Sequence, residues 1–295
     1  MKHISKMHGS QDEIYRLSCW GEHKLSQFIL KNLADFRKEN ETYKEHAVKS
    51  QLHLLPPHLD DNVLNAADFA WIYENRLVKG RGRVEYDSIL SSAPFGLCPY
   101  CFHQAADQLD HFLPKSKFHR FSLSLYNLVP SCGRCNHKKG EKYGETLQTE
   151  YLHPYFANLD SKIWLECEVK LQEVVSVKFS SSAFAIGADQ AVRVQKQMED
   201  LDVFYIYKTQ VAKYLSYRRD KFLQLRKRKN GKEKLRSHYK GLLKVELRYP
   251  GQNTWLKALL RFMNQSSDFL EYEFIEYIPS PSRSQMWSRT LREKI

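Results

Sequence analysis

Four of the six cysteines fall in two pairs of the same spacing, Cys98-Pro-Tyr-Cys101 and Cys132-Gly-Arg-Cys135, with thirty residues between the pairs. A two-residue gap lets both thiolates of a knuckle reach one tetrahedral Zn²⁺ at about 2.3 Å, and two knuckles complete a four-cysteine site. The first residues include Lys2, His3 and Lys6 with no apolar run behind them. That predicts an unexported, cytoplasmic protein in a reducing compartment, where structural disulfides are disfavoured. A thioredoxin-like redox motif uses a single CxxC at the start of a helix and has no need of a second pair. A structural zinc on Cys98, Cys101, Cys132 and Cys135 is therefore expected. Cys19 and Cys167 stand alone and are expected as ordinary buried thiols, Cys167 on the inward parity of an alternating strand.

Around this block the hydrophobic period changes twice. Residues 11 to 80 read as helical, with Leu25, Phe28, Ile29, Leu33 and Phe36 at three- and four-residue spacing. Leu55-Pro56-Pro57 breaks that pattern. A second helix is predicted after Asp60-Asp61, carried by Val63, Leu64, Ala67, Phe69, Ala70, Ile72 and Tyr73, with Gly80-Arg81-Gly82 as its stop. The stretch from about 96 to 144 holds Pro99, Pro114, Pro130, Gly133 and Gly140, so short elements and loops are expected there. Ile163, Leu165, Cys167, Val169 and Leu171 then alternate strictly, and Val175, Val177 and Phe179 repeat the pattern after Gln172-Glu173, which predicts a β-hairpin. Helix returns after Gly187 and runs to about Lys229 with an interruption near Leu201-Asp202-Val203. Phe204, Tyr207, Val211, Tyr214, Leu215, Phe222 and Leu225 form its apolar stripe, and Asn230-Gly231 ends it. Two further helices are expected near 232–247 and 252–263, then an aromatic segment from Phe269 to Tyr277 and a polar tail.

Apolar residues at 42% and aromatics at 13% exclude general disorder. No apolar run is longer than Val203 to Tyr207, far too short for a membrane helix. Net charge is +12, and 208–240 alone holds thirteen Lys or Arg against Asp220 and Glu233. Such a concentration predicts an anionic partner bound through phosphate, with Arg226, Lys227, Arg228 and Lys229 as its densest run. The competing readings are a docking helix for a protein partner and a plain solvated face.

Between and beside the knuckles lie Asp110-His111-Phe112-Leu113-Pro114, Asn127-Leu128-Val129-Pro130 and Cys135-Asn136-His137-Lys138-Lys139-Gly140. In order this reads CxxC, DHxxP, NLVPxC, xxCNxxKG. Phosphodiester hydrolysis needs a base to take a proton from water, which a neutral His near pH 7 can do. It also needs a hard cation on one or two oxygen ligands. A carboxylate beside a His, an amide oxygen from a helix and a nearby Lys are suitable parts.

The stretch from Cys98 to Gly140 resembles the zinc-containing HNH endonucleases, whose ββα-metal fold is two short strands, a loop and a helix. The resemblance implies His111 as general base, Asp110 as ligand of a catalytic Mg²⁺ or Mn²⁺, Asn127 as the residue steadying the hairpin and the His, and Asn136 as second cation ligand. Asn136 stands where His also occurs, so the motif reads H-N-N, and an amide oxygen there favours Mg²⁺ over softer ions. Lys139 matches the family's Lys, which implies a phosphate contact. His137 lies one place off the motif, and His103 and His119 are expected as partly exposed imidazoles without a role.

The wider arrangement, with helices before the block and a basic helical half after it, is similar to the nuclease subunit of Septu-type anti-phage systems, a subunit also found with some retrons. That resemblance implies a partner ATPase, and the chain has no Gly-x4-Gly-Lys-Ser/Thr loop of its own. The expected fold is α-rich α+β. A helical region (1–92) precedes a zinc-stapled ββα module (93–150), and a β-hairpin with a basic helical region follows (151–295). Zinc compensates for a module too small to bury its own core. The expected activity is metal-dependent cleavage of DNA or RNA leaving 5′ phosphates, or with RNA activation of a 2′ hydroxyl. The alternative is a zinc-dependent nucleic-acid-binding or docking subunit without catalysis.

Overall fold

Amphipathic spacing at the N-terminus produces three helices in place of one long one: α1 (Gln11–Ser18), α2 (Lys24–Lys31) and α3 (Leu33–Val48). The Ser10 hydroxyl caps α1 by accepting from the Glu13 N–H. Between α2 and α3 the Asn32 amide donates to the Phe28 carbonyl at 2.8 Å, which ends α2 and turns the chain. The computed structural model describes residues 1–60, 65–171, 175–271 and 275–280, with the side chains of 171 and 175 outside that description. Asp61, Val63, Leu64, the Gln172-Glu173 turn and the polar tail beyond 280 therefore lie outside the described residues.

The second helix begins later than its acidic residues suggest. Asn65 caps α4 (Ala66–Ile72) by accepting from the Asp68 N–H, while Asp60 accepts from the Ala66 N–H at 3.0 Å. The helix then widens into a π-helical segment, Tyr73–Val78. Gly80-Arg81-Gly82 does stop it, and α5 (Arg83–Leu90) follows at once. In the Cys-rich block, strands β1 (Gln108–His111) and β2 (Leu128–Ser131) pair antiparallel, with Asp110 opposite Val129 and His111 opposite Leu128. Helix α6 (Gly133–Lys139) leaves directly from β2. Ile14, Leu25, Ile29, Phe36, Phe69, Ile72, Ile89, Leu109 and Leu128 belong to a single core cluster. The helices of 1–92 and the cysteine block of 93–150 are thus one packing unit, Met1–Leu159 with Val192–Leu201. Burying about 1.5–3 kcal/mol of apolar side chain per residue, this shared core gives β1 the support its short partner strand cannot.

The other unit is Asp160–Ala191 with Asp202–Ile295. The expected hairpin forms from β3 (Leu165–Leu171) and β4 (Val175–Ser181), with Cys167 opposite Phe179 and Val169 opposite Val177, all four buried. Ile163 departs from the alternation and is 49% exposed. The Asn253 side chain accepts from the Trp164 and Leu165 N–H groups and donates to the Lys162 carbonyl, while the Trp164 carbonyl accepts from the Ser182 N–H at 2.7 Å. Short α7 (Ala183–Ile186) and α8 (Ala188–Asp200) follow. Asp202 in left-handed backbone (φ 57°) then opens α9 (Val203–Arg226). Asn230, also left-handed, opens α10 (Gly231–Glu246), and Thr254 caps α11 (Trp255–Gln265). On α9, Phe204, Tyr207, Val211, Leu215 and Phe222 are buried, while Tyr214 and Leu225 are half-buried. Among the described residues no helix is long and apolar enough to cross a membrane.

Candidate functional site

The two knuckles close on one another. Cys98 and Cys101 lie in a tight loop in which the Cys98 N–H donates to the Gln104 carbonyl and the Phe102 N–H to the Cys98 carbonyl. Cys132 and Cys135 sit at the β2–α6 junction, where the Cys132 sulfur accepts from the Cys135 N–H at 3.5 Å. All four thiols are buried and free of disulfides, and their sulfurs lie within 4.8 Å of one another. Four sulfurs at about 2.3 Å from a tetrahedral Zn²⁺ would be separated by about 3.8 Å; Cys101 and Cys132 are 4.0 Å apart. The donor set fits a structural metal such as zinc. Within the cluster the neighbouring thiols push Cys101 below the usual thiol range and push Cys135 above it, and burial with those thiols pushes Cys98 above it too. Cys19 and Cys167 are buried thiols, and burial pushes Cys19 up to about 12.

Asp110 and His111 point to opposite faces of β1, as neighbours on a strand must. Asp110 is 2% exposed. Its carboxylate accepts from the Tyr100 hydroxyl at 2.7 Å and from Lys139 Nζ at 3.2 Å. Burial raises the carboxyl above its ordinary range, and Lys139 and Tyr100 pull it back. Lys139 also donates to the His111 carbonyl at 2.6 Å. Lys139, expected at a phosphate, is instead 1% exposed. The reason is helical spacing: Asn136 and Lys139 share the α6 face that packs on β1. Gln108 and Asp110 share the strand face opposite. The result is two rungs, Asn136 Nδ2 donating to Gln108 Oε1 at 2.5 Å and Lys139 to Asp110. Asn136 and Asp110 are on adjacent rungs and do not bond each other.

On the other face, His111 Nε2 is 3.1 Å from the Ser122 carbonyl. A carbonyl only accepts, so Nε2 carries the proton and Nδ1 keeps its lone pair. Burial, then the charge of Lys115, pushes the imidazole down to about 3, so it is neutral at physiological pH. The Tyr73 ring packs edge-on against it at 4.5 Å.

The loop 112–127 that brings Ser122 to His111 is held by Asn127. Its amide oxygen accepts from the Leu113 N–H (2.7 Å) and from the Tyr43 hydroxyl (3.0 Å), and its amide nitrogen donates to the Leu113 and Phe121 carbonyls. Tyr43 in turn meets His153 Nε2 at 3.2 Å. Tyr100 was findable, lying inside a knuckle, and so was Gln108, two residues before Asp110. Tyr43, Tyr73 and His153 leave no local sequence signal, because only the tertiary fold brings them in.

Elsewhere, His137 is exposed and His103 half-buried. His119, expected partly exposed, is 1% exposed beside Asp60, within ring contact of His58 and Phe69. Its 3₁₀ turn (His119–Phe121) folds it under α4. In the second unit Lys227, Arg228 and Lys229 are exposed at the α9–α10 junction. Arg226 differs from them: its Nε donates to the Leu270 carbonyl at 2.8 Å, and its guanidinium lies 3.8 Å from Glu271. It anchors the 268–271 turn to α9.

No protein-family model matches the chain, and no solved structure matches it. Over 88 residues it is 36% identical to "Protein ea31" of Escherichia phage lambda, a stretch covering 28% of this chain and 29% of that protein. The chain thus matches less than a third of that relative's length, and the relative's name states no activity.

Proposed function

We propose that the chain is a metal-dependent HNH endonuclease, with the strand–loop–strand–helix from Gln108 to Lys139 as its ββα nuclease module and the four cysteines holding a structural zinc. The observation that carries this reading is His111: a neutral imidazole, its Nε2 pinned to the Ser122 carbonyl, Nδ1 left as proton acceptor, and a carboxylate as its strand neighbour. His111 Nδ1 takes a proton from water, the oxygen attacks phosphorus, and the bond to the 3′ oxygen breaks, leaving a 5′ phosphate. Asp110 and Asn136 are the residues that would hold Mg²⁺ or Mn²⁺, which supplies charge stabilisation for phosphate and leaving oxygen. Lys139, in ion-pair contact with Asp110, opposes the rise that burial imposes on that carboxyl. Asn127 fixes the loop and hence the Ser122 carbonyl that orients His111.

The substrate is nucleic acid, DNA or RNA such as tRNA. The Septu-type resemblance adds a defence role with a partner ATPase and a retron context. A second reading, a zinc-stapled binding or docking subunit without catalysis, is favoured by the Tyr100 and Lys139 contacts that already occupy Asp110. Incubating purified protein with duplex DNA, single strands and tRNA, with Mg²⁺ or Mn²⁺ and with a candidate ATPase, decides between them. Metal-dependent cuts lost in His111→Ala support the nuclease; nucleic-acid binding without cuts under every condition supports the second reading.

A further inference from the structure

Five side chains of the first unit form a continuous stack that the site above does not use. The His23 ring lies flat on Trp71, 4.7 Å between centroids at 4°. The Arg76 guanidinium is 5.2 Å from Trp71 and 3.6 Å from Trp20, and Arg81 lies 4.5 Å over Trp20. Trp71 is 41% exposed, and Arg81 is exposed.

The chain goes to some length to place Arg81 there. A Cβ on Gly80 would come within 2.7 Å of the Asn75 and Arg76 carbonyls. One on Gly82 would meet Leu77 Cα at 2.9 Å and the Ser18 hydroxyl at 2.7 Å. The Gly82 N–H donates to the Arg76 carbonyl at 2.9 Å. Gly80-Arg81-Gly82 therefore folds tightly against the end of the π-helical segment, setting Arg81 beside Arg76 on one indole.

Neither guanidinium is ion-paired to a carboxylate among the described residues. Arg76 Nε, Trp20 Nε1 and His23 Nδ1 are buried atoms without a hydrogen-bond partner among them. A guanidinium held by an aromatic face keeps its planar fork of donors available, and that fork matches phosphate. An exposed indole beside it stacks an unpaired base. Two arginines without carboxylates, beside an indole that His23 covers on one face and that is still 41% exposed, suit a strand of phosphodiesters better than an isolated anion.

We propose that Arg76 and Arg81, mounted on Trp20, and the exposed Trp71 form a binding site for an unpaired nucleic-acid strand, the arginines taking phosphates and Trp71 stacking a base. The assignment rests on the nuclease reading for its role: Tyr73, on the same π-helical segment as Arg76, packs on His111, so one short element anchors both strand grip and base.

The test uses the full chain, metal-loaded and carrying His111→Ala so that the probe survives. Its probes are a labelled oligothymidylate of roughly 15 nucleotides, comparable to known single-strand site sizes, and a duplex of the same length. Strand binding should quench tryptophan fluorescence and exceed duplex binding. Arg76→Gln with Arg81→Gln should weaken it tenfold or more and reduce the slope of log affinity against log salt by about 1.4, or 0.7 per phosphate on a single strand. Trp71→Ala should weaken it fivefold or more with the slope kept. Arg81→Gln alone, at an exposed side chain, should reduce the slope by about 0.7 even if the Arg76 change unfolds the unit. An unchanged slope in these variants, preference for the duplex, or no binding by the parent chain overturns the site. The two readings part cleanly: cleavage lost in His111→Ala with unaltered salt slopes leaves the nuclease and removes the stack. Arginine-dependent strand binding with undiminished cleavage in His111→Ala does the reverse.

Discussion

Acid should destabilise the first unit through His153, and the structure sets the size of the effect. The imidazole is buried against Phe112, Tyr155 and Phe156, with ring centroids 4.0, 5.5 and 4.9 Å away. Its Nδ1 accepts from the Tyr155 N–H at 3.2 Å, so Nε2 carries the proton and donates to the Tyr43 hydroxyl, which passes its own hydrogen to Asn127. A second proton could go only to Nδ1, where a backbone donor already points. Burial lowers this group to about 3 from an ordinary 6.5, against a backbone hydrogen bond at Tyr126 that raises it. The folded state therefore binds fewer protons than the unfolded one between those two values, and stability falls as pH drops through that window. At pH 5 the unfolded chain gains about 1.5 pK units of protonation free energy that the folded chain does not, or about 2 kcal/mol.

His153→Asn keeps an acceptor near Nδ1, cannot be protonated, and loses ring packing at all pH values alike. Urea unfolding of metal-loaded protein at pH 7.5 and pH 5, followed by tryptophan fluorescence, gives the pH-dependent loss for each chain. Wild type should lose about 2 kcal/mol more than the variant, roughly 30-fold in the unfolding constant. His58, which burial pushes down to about 4, contributes to both chains and drops out of the difference. Equal losses in the two proteins would refute the assignment of Nδ1 as a buried acceptor.

Cys98→Ser or Cys132→Ser should release the metal and cut soluble yield, because ligand binding energy in such a site is folding energy of about 10 kcal/mol or more; elemental analysis should find one zinc per wild-type chain and none in a double variant. His111→Ala should lower cleavage by about 10²–10⁴ with zinc content unchanged, and wild-type rates in a plasmid-nicking assay would end the assignment. Lys139→Met should cost about 3–5 kcal/mol by stranding the Asp110 charge, and adding Asp110→Asn should recover most of it in a double-mutant cycle. Replacing Lys227, Arg228 and Lys229 with Gln should flatten the salt slope on duplex DNA by about 0.9 per lost contact. Loss of partner capture with an unchanged slope would mark the junction as a docking surface instead.

Sequence carried the knuckle spacing, the later β-hairpin and the α8–α9 break, because each is a local signal: a ligand spacing, a period of two, an interruption in a helical pattern. It missed what tertiary packing decides. Lys139 reads as a surface cation, yet its place one turn after Asn136 puts it on the buried face of α6 against Asp110. His119 reads as exposed, and a 3₁₀ turn buries it. Ile163 fits the alternation, but it lies before β3, where Asn253, ninety residues on, bonds the backbone on either side of it, and it is exposed. Arg226 belongs to a basic run by composition and to the Leu270 turn by geometry.

The cysteine cluster and the Asp110–His111 pair depend on the same short elements. Cys132 directly follows β2 and caps α6, so the sulfur cluster sits where α6 leaves the sheet and constrains its angle. That angle is what sets Asn136 over Gln108 and Lys139 over Asp110. The opposite face of β1 is set differently, by the core beneath Leu109 and by the Asn127–Tyr43–His153 chain that holds the loop carrying Ser122. Loss of metal should therefore disturb the Asp110 face before the His111 face, and loss of Tyr43 or His153 the reverse. A four-residue strand can hold two buried polar side chains on opposite faces because each face has its own support. One is a set of four sulfurs that could hold a metal, the other a buried polar chain reaching back to α3.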